Sequence, residues 1–116
     1  MVNGLREASW KDRLLYLLGR RLAILIEGES MLPTLNQGDT ILVKLSRTAR
    51  VGDIVLANHP YKSSVKIVKR VAEIHPDGAL ILTGDNPVES TDSRSFGSVL
   101  KGDVVGRVVC RLSVGQ

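Results

Sequence analysis

The first candidate for chemistry is Ser30, a serine held in a short turn. It follows an apolar run from Leu22 to Ile26 and lies between Gly28 and Pro33. A nucleophilic serine needs an exposed hydroxyl, and a point where the backbone changes direction provides one. Serine is also an ordinary turn residue, because its hydroxyl bonds to nearby backbone groups. Taken alone, Ser30 is consistent with both roles.

Lys69 is the second candidate, and it lies in a strand predicted over Val65–Ile74. Side chains alternate between the two faces of a strand. Lys69 therefore shares the more apolar face with Ile67 and Val71, whereas Arg70 takes the mixed face that reaches water. Desolvation lowers a lysine pKa from its usual value of about 10.4 and makes the amine a possible general base. The alternative is a lysine whose ammonium group snorkels out of the sheet into water.

Few other residues offer catalytic or metal chemistry. His59 and His75 are the only histidines, and neither lies in a metal-ligand pattern, so we expect no metal site and no cofactor. Cys110 is the only cysteine, which excludes an internal disulfide, and its apolar neighbours predict a buried position. A serine activated by a desolvated lysine needs no histidine. The residues thus favour a Ser-Lys scheme if Ser30 is a nucleophile.

The composition predicts one small β-rich domain. Of 116 residues, 43% are hydrophobic and only 3% aromatic, and valine, isoleucine and leucine dominate the apolar set. The net charge of +4 is mildly basic. The basic residues are spread along the chain without interleaved aromatics, so a solvated surface is favoured over a nucleic-acid site. We therefore expect no nucleic-acid partner.

No segment is predicted to span a membrane. The apolar residues 14–18 are interrupted by Gly19-Arg20-Arg21, and the run 22–26 ends at Glu27. A transmembrane helix needs about 20 consecutive apolar residues, and no small-residue cleavage site of a signal peptide follows. These features predict a soluble, cytoplasmic protein without an integral membrane anchor.

One short amphipathic helix is predicted from Trp10 to Leu18. Ser9 is suited to the N-cap, Asp12 completes a capping box, and Gly19 is a natural stop. Residues 1–8 are predicted to be a loose end. The apolar stripe indicates packing against the domain or, alternatively, weak peripheral contact with a lipid surface or docking to a partner. The basic residues near Trp10 that support the alternative are Lys11, Arg13, Arg20 and Arg21.

The rest of the chain reads as short strands separated by turns. A hairpin is predicted where His75-Pro76-Asp77-Gly78 joins two of them. The predicted strands cover residues 22–26, 40–44, 53–57, 65–74, 79–83 and 104–112. This spacing predicts a mainly β fold, closed or coiled, with one N-terminal helix. We divide the chain into a tail and helix over residues 1–21 and a single β-rich domain over residues 22–116.

Four motifs in a fixed order resemble the signal peptidase I family of Ser-Lys proteases. They are Glu29-Ser30-Met31-Leu32-Pro33-Thr34-Leu35, then Gly52-Asp53-Ile54-Val55, then Lys66-Ile67-Val68-Lys69-Arg70-Val71, then Gly84-Asp85-Asn86 continuing through Ser90, Asp92, Ser93, Arg94 and Gly97. The resemblance covers roughly residues 22–112. It implies a β-ribbon protease core of the signal peptidase and LexA-like kind, shared with self-cleaving repressors.

The resemblance also implies roles for individual residues. Ser30 would be the nucleophile and Lys69 the general base, with the Ser90 hydroxyl orienting the lysine. The backbone at Gly28 and Ser30 would form the oxyanion region. The remaining implied residues are Asp92 and Arg94 as a structural ion pair, and Met31 and Pro33 as substrate contacts.

Within that family, the chain is most similar to the nickel-type superoxide dismutase maturation proteases. The similarity lies in Ser9-Trp10-Lys11-Asp12-Arg13, in the serine motif and in the residues from Ser90 to Gly97. It implies that the partner is a protein substrate, the dismutase precursor. Removal of its N-terminal propeptide would expose the histidine that binds nickel, so the metal belongs to the substrate.

Two other functions are compatible with the same residues. One is a general signal peptidase I-type enzyme that cleaves signal peptides as a peripheral membrane protein. The other is a non-catalytic basic β domain that acts as a binding module, against which the Ser30, Lys69 and Ser90 set argues.

Overall fold

The computed structural model describes residues 5–62, 64–88 and 97–114. Within them lie one α-helix, six strands and a short 3-10 turn at Lys101–Asp103. The elements are α1 (Trp10–Leu17), β1 (Leu22–Leu25), β2 (Thr40–Leu45), β3 (Ile54–Asn58), β4 (Lys66–Ile74), β5 (Leu80–Thr83) and β6 (Val104–Ser113). The strands form one antiparallel sheet in the order β1-β2-β6-β3-β4-β5. The predicted mainly β fold with one helix is confirmed.

β6 lies in the middle of the sheet and pairs with both β2 and β3. Gly106 makes this arrangement possible, because it faces Leu45 on one side and Leu56 on the other. A Cβ atom at Gly106 would lie 2.5 Å from the Lys44 carbonyl oxygen and 2.5 Å from Val43 Cγ1. Only glycine permits that close approach of two backbones.

The core is aliphatic and lies on both sides of β3. Ile54 and Leu56 enter one hydrophobic cluster, and Val55 and Ala57 enter another. Alternating side chains of one strand are thus all buried, which explains why β3 reads as a continuous apolar run. Cys110 is also fully buried, as the sequence predicted.

The hairpin of β4 and β5 forms as predicted, with Ile74 opposite Leu80. The turn between them is closed by hydrogen bonds from His75 N to Ala79 O and from Gly78 N to His75 O, each 2.8 Å. The hairpin places β5 at one edge of the sheet, and β1 forms the opposite edge.

Helix α1 begins as predicted but does not pack as the first interpretation expected. Ser9 and Asp12 form the capping box, and Gly19 follows the helix with a φ of +76°. However, Asp12 is the only buried residue of α1, while most of its apolar side chains are exposed. The Asp12 carboxylate accepts hydrogen bonds from Arg6 Nη1 (2.6 Å) and Ser9 N (2.8 Å), so a polar anchor replaces apolar packing.

A loose end was predicted for residues 1–8, of which residues 1–4 lie outside the described residues and residues 5–8 are not loose. Glu7 forms a parallel bridge with Arg111 of β6, and Ala8 N donates to Arg111 O over 2.8 Å. The segment is ordered because β6 extends past β3, and its Arg111 backbone groups pair there with Arg6 and Ala8. Among the described residues, no helix has both the length and the apolar character needed to cross a membrane.

Candidate active site

Ser30 lies on a loop between β1 and β2 whose base is closed by the backbone. Ile26 N donates to Asp39 O over 2.8 Å, and Gly38 N donates to Ile26 O over 2.9 Å. Met31 and Leu35 insert into the core and are at most 2% exposed. The loop is therefore anchored on both sides of the serine, which keeps Ser30 in a defined position.

Two features of the loop bear on the chemistry of Ser30. Gly28 has a φ of +80°, a left-handed conformation that glycine adopts without strain. Across residues 5–62, 64–88 and 97–114, the Ser30 N–H and hydroxyl have no hydrogen-bond partner. Both groups are thus available to a substrate, as a nucleophile and an oxyanion donor must be.

Lys69 is buried in β4, as strand alternation predicted. Its exposed fraction is 5%, whereas Lys66, three residues earlier on the opposite face, is exposed. Lys69 lies opposite Val55 of β3, and Val71 beside it is 1% exposed. Burial among aliphatic side chains disfavours a charged ammonium group relative to a neutral amine.

A cleft of about 460 Å³ brings Ser30 and Lys69 together, since both line it. One wall comes from β1 and the residues after it, and the other from residues 65–68 at the start of β4. The remaining lining residues are Ile24, Leu25, Ile26, Glu27, Met31 and Leu56. The arrangement offers a hydroxyl and a buried amine in one cleft that lies along an edge strand.

Only one of the two predicted substrate contacts lies in the cleft. Met31 lines the cleft, whereas Pro33 is exposed and does not. The Leu32–Pro33 peptide bond is cis. The predicted positions Ser90, Asp92 and Arg94 lie outside the described residues.

Arg70 corrects one expectation from the sequence. It was placed on a face that reaches water, but its side chain is only 17% exposed and pairs with Asp85. Arg70 Nε donates to Asp85 Oδ1 over 2.8 Å, and Nη2 donates to Oδ2 over 2.7 Å. The residues that follow β5 cover this face of β4, which strand alternation alone does not reveal.

The Arg70–Asp85 pair joins all four sequence motifs. Arg70 Nη1 donates to Gly52 O over 2.7 Å, and the Thr34 hydroxyl donates to Asp85. Burial by itself would raise the pKa of Asp85, but the hydrogen bonds from Arg70 and Thr34 outweigh it and leave that pKa lowered. The same contact raises the pKa of Arg70. The pair is therefore ionised and holds the serine loop against the lysine strand.

Asn86 provides a second connection to the serine loop. Its backbone N donates to Ser30 O over 2.9 Å, and its Nδ2 donates to Glu29 O over 3.0 Å. Two successive carbonyl groups at the serine are thus fixed by one residue. Sequence reasoning placed Asn86 in a motif but gave it no role.

Sequence reasoning also missed Arg111 and Asp39. Arg111 Nε donates to Asp39 Oδ2 over 3.1 Å, and Nη2 donates to Thr34 O. Asp39 is fully buried and also accepts a hydrogen bond from Asn36 N over 2.9 Å. Burial alone would lower the pKa of Arg111, but the hydrogen bonds that it donates to Glu7 and Asp39 outweigh burial and raise that pKa. The guanidinium therefore stays charged and holds the end of the serine loop on β6.

The histidines do not contribute to the cleft. His59 Nδ1 accepts hydrogen bonds from the backbone N–H groups of Tyr61 (3.1 Å) and Lys62 (3.2 Å). His75 lies in the turn between β4 and β5. In the part of the chain that the structure describes, no group of three or more histidine, cysteine or acidic residues could hold a metal ion.

Comparison with known proteins shows that this chain is similar to peptidases. A family model described as Peptidase S24-like matches residues 6–109. Mitochondrial inner membrane protease subunit 1 of Xenopus tropicalis is 35% identical over 112 aligned positions, covering 77% of this chain and 67% of the relative. The protein of the same name from Schizosaccharomyces pombe is 31% identical, covering 73% and 69%. That from Homo sapiens is 30% identical, covering 77% and 68%.

These relatives contradict the prediction of a cytoplasmic location, since each is named as an inner membrane protease. The sequence argument relied on the lack of a long apolar run. Such a run is needed for a transmembrane helix, which is only one way in which a protein associates with a membrane. The matches support a signal peptidase I-like peptidase and do not extend to the nickel dismutase substrate.

Proposed function

Since the chain belongs to the Peptidase S24-like family, we propose that it is a serine endopeptidase with Ser30 as nucleophile and Lys69 as general base. The observation that carries this proposal is the shared cleft. The Ser30 hydroxyl, which has no partner among the described residues, and the buried Lys69 line the same space. A binding module would not require a lysine to be buried beside an open cleft.

The chemistry follows from the two side chains. Lys69 takes the proton from the Ser30 hydroxyl as Oγ attacks the carbonyl carbon of the scissile peptide bond. The tetrahedral intermediate collapses when the leaving nitrogen receives that proton from Lys69, and an acyl-enzyme remains on Ser30. Lys69 then deprotonates a water molecule, which hydrolyses the ester and restores both residues.

The backbone of Ser30 supplies electrostatic stabilisation in this scheme. Its N–H is unpaired in the described part of the chain, and it can donate to the oxyanion that forms on the substrate carbonyl. Gly28, two residues earlier, has no side chain to add a second donor. That donor would come from another backbone group or from water.

The cleft also suggests how a substrate is held. β1 is an edge strand, and within the described residues it pairs with β2 alone. Its outer edge is open to an extended peptide, which could bind by adding a strand. Binding in that mode would lay the scissile bond along the wall that leads to Ser30.

We assign the precursor of a nickel superoxide dismutase as substrate. Support comes from the similarity of the serine motif and of the Ser9–Arg13 segment to the maturation proteases. One cut would remove the propeptide and leave a histidine at the new N-terminus. The named relatives favour a second candidate, a signal peptidase-type enzyme that cuts precursors at a membrane.

Mass spectrometry of the cleavage products tests these assignments together. The protein would be incubated with a nickel dismutase precursor and, separately, with a precursor that carries a signal peptide. We expect one cut in the dismutase precursor, before its histidine. A cut only in the signal-peptide precursor would select the second candidate, and no cut in either would contradict the proposed endopeptidase.

Variants then test the residues. Ser30→Ala should abolish cleavage, and Lys69→Met should lower its rate by about a thousandfold, the usual contribution of a general base. Lys44→Met is the matched control, because Lys44 is an exposed lysine on β2 that does not line the cleft, and it should retain activity. Circular dichroism would show that each variant is folded. A folded Lys69→Met protein with wild-type activity would exclude the dyad.

A further inference from the structure

We propose that α1 docks on an anionic lipid surface through an outward-facing patch, here called the α1 patch. Its apolar members are Trp10, Leu14, Leu17 and Leu18, which are 70%, 47%, 78% and 64% exposed. Their spacing of four, three and one residues places them on one face of the helix. Such a face is normally buried, and here it has no cover within the described residues.

The orientation of the helix keeps the α1 patch outward. Asp12 is 5% exposed and lies on the side of α1 that meets the rest of the protein. Its carboxylate is bound by Arg6 and by the Ser9 backbone. Turning the apolar stripe inward would break these contacts and expose a buried carboxylate. The outward position is thus built into the N-terminal segment.

The charges beside the α1 patch identify its occupant. Four basic residues lie within or next to the helix, and none forms an ion pair in the described part of the chain. They are Lys11, Arg13, Arg20 and Arg21. Lys11 Nζ lies 5.7 Å from the Trp10 ring centroid. Exposed aromatic and leucine side chains bordered by uncompensated cations match an anionic headgroup layer above acyl chains.

A second copy of the chain fits this surface less well. A symmetric contact through the α1 patch would bring two basic borders together, in a protein with a net charge of +4. Like charges at a shared interface oppose association. An anionic lipid surface instead attracts the same residues.

The α1 patch is close in sequence to one wall of the cleft. β1 begins five residues after α1 ends, and its exposed residue Leu25 lines the cleft with Ser30. The lipid contact itself does not depend on the proposed proteolysis, so it can be measured on the Ser30→Ala protein.

Vesicle flotation and Trp10 fluorescence test the proposal. Trp10 is the only tryptophan, so its emission reports on α1 alone. We expect Ser30→Ala protein to float with vesicles of phosphatidylcholine and phosphatidylglycerol, with a blue shift of Trp10 emission. Binding should fall at least about tenfold with pure phosphatidylcholine vesicles and decrease as salt is added.

Paired variants locate the contact. Leu17→Glu should lower binding at least about tenfold, because it puts a negative charge in the α1 patch. Arg20→Glu with Arg21→Glu should do the same. Val88→Glu is the matched control, since Val88 is 86% exposed and lies outside α1, in the segment after β5, and it should bind as before. Circular dichroism would confirm that the variants are folded.

Three results would overturn the proposal. The first is the absence of flotation with anionic vesicles. The second is equal binding by Leu17→Glu and Val88→Glu, which would place any contact elsewhere. The third is a concentration-dependent dimer in sedimentation that Leu17→Glu abolishes, because the α1 patch would then bind a second copy.

Discussion

Arg70 of β4 and Asp85, which lies in the loop after β5, are joined by two parallel hydrogen bonds of 2.8 and 2.7 Å. Arg70 directly follows Lys69, and Asp85 directly precedes Asn86, which holds the Ser30 loop. The pair therefore couples the position of the serine loop to that of the lysine strand. The Thr34 hydroxyl bonded to Asp85 completes the link.

Removal of Arg70 should destabilise the protein strongly. Both side chains of the pair are mostly buried, so Arg70→Ala leaves a buried carboxylate unpaired, at a cost of about 3 kcal/mol in the free energy of unfolding. Arg70→Lys keeps the charge but loses the forked geometry and should recover only part of this loss. Urea denaturation measures both.

A matched control for Arg70 is Lys44→Ala, at an exposed position of β2. It should change stability by less than about 0.5 kcal/mol. Asp85→Ala combined with Arg70→Ala should cost less than the sum of the single changes, since each removes the same interaction. Additive losses would show that the two residues are not coupled.

Asn86→Ala should reduce catalysis more than stability. The change removes the bond from Nδ2 to Glu29 O but keeps the backbone bond to Ser30 O. The serine loop would then move relative to a substrate, and we expect kcat/KM to fall about tenfold. Peptide cleavage assays measure this. The control is Gln37→Ala, at an exposed position on the loop that contains Ser30, and it should leave kcat/KM unchanged. An unchanged kcat/KM in Asn86→Ala would show that the bond from Asn86 Nδ2 to Glu29 O does not contribute to catalysis.

Gly106 and Gly102 provide a matched pair for the close contact of β2 with β6. A Cβ atom at position 106 would meet backbone at 2.5 Å, whereas one at position 102 would meet nothing within 4 Å. Gly106→Ala should therefore lower the free energy of unfolding by about 2 kcal/mol. Gly102→Ala should stay within about 0.5 kcal/mol of the wild type. Equal stabilities of the two variants would contradict this account of the sheet.

Asp12 should make stability depend on acid pH. The side chain of Arg6 and the backbone of Ser9 hold the pKa of Asp12 well below its usual range. A folded-state pKa below the unfolded value of about 3.9 adds stability that is complete above that pH and is lost as the pH falls below it. Urea denaturation at pH 7 and near the acid limit of folding measures the loss.

Asp12→Asn should show a flatter dependence over the same acid range, although it is less stable at neutral pH. Asp77→Asn is the control, because Asp77 is exposed in the β4–β5 turn and forms no ion pair among the described residues. It should follow the wild type. If Asp12→Asn also followed the wild type, the ion pair with Arg6 would not contribute.

The features that sequence predicted correctly are local. Burial of Lys69 follows from the alternation of side chains along one strand, and the start of α1 follows from a capping box of four residues. The hairpin between β4 and β5 follows from one turn. Each of these three predictions depends only on residues that lie a few positions apart in the chain.

The contacts that sequence reasoning missed depend on strand order. Arg111 lies 72 residues from Asp39, and they meet because β6 pairs with β2. No periodicity within either segment contains that information. Similarly, the apolar stripe of α1 predicts that one face is hydrophobic, but its orientation is decided by the buried anchor at Asp12.

The central position of β6 affects when the sheet can be completed during synthesis. β1 and β2 flank the Ser30 loop, and β3, β4 and β5 form a separate run that contains Lys69. β6 alone joins the two runs in the sheet, yet residues 104–113 are translated after all of them. A nascent chain that lacks β6 would therefore carry its serine and its lysine on two runs that share no strand pairing in the described sheet. The side-chain and loop contacts of Arg70, Asp85 and Asn86 would then connect them.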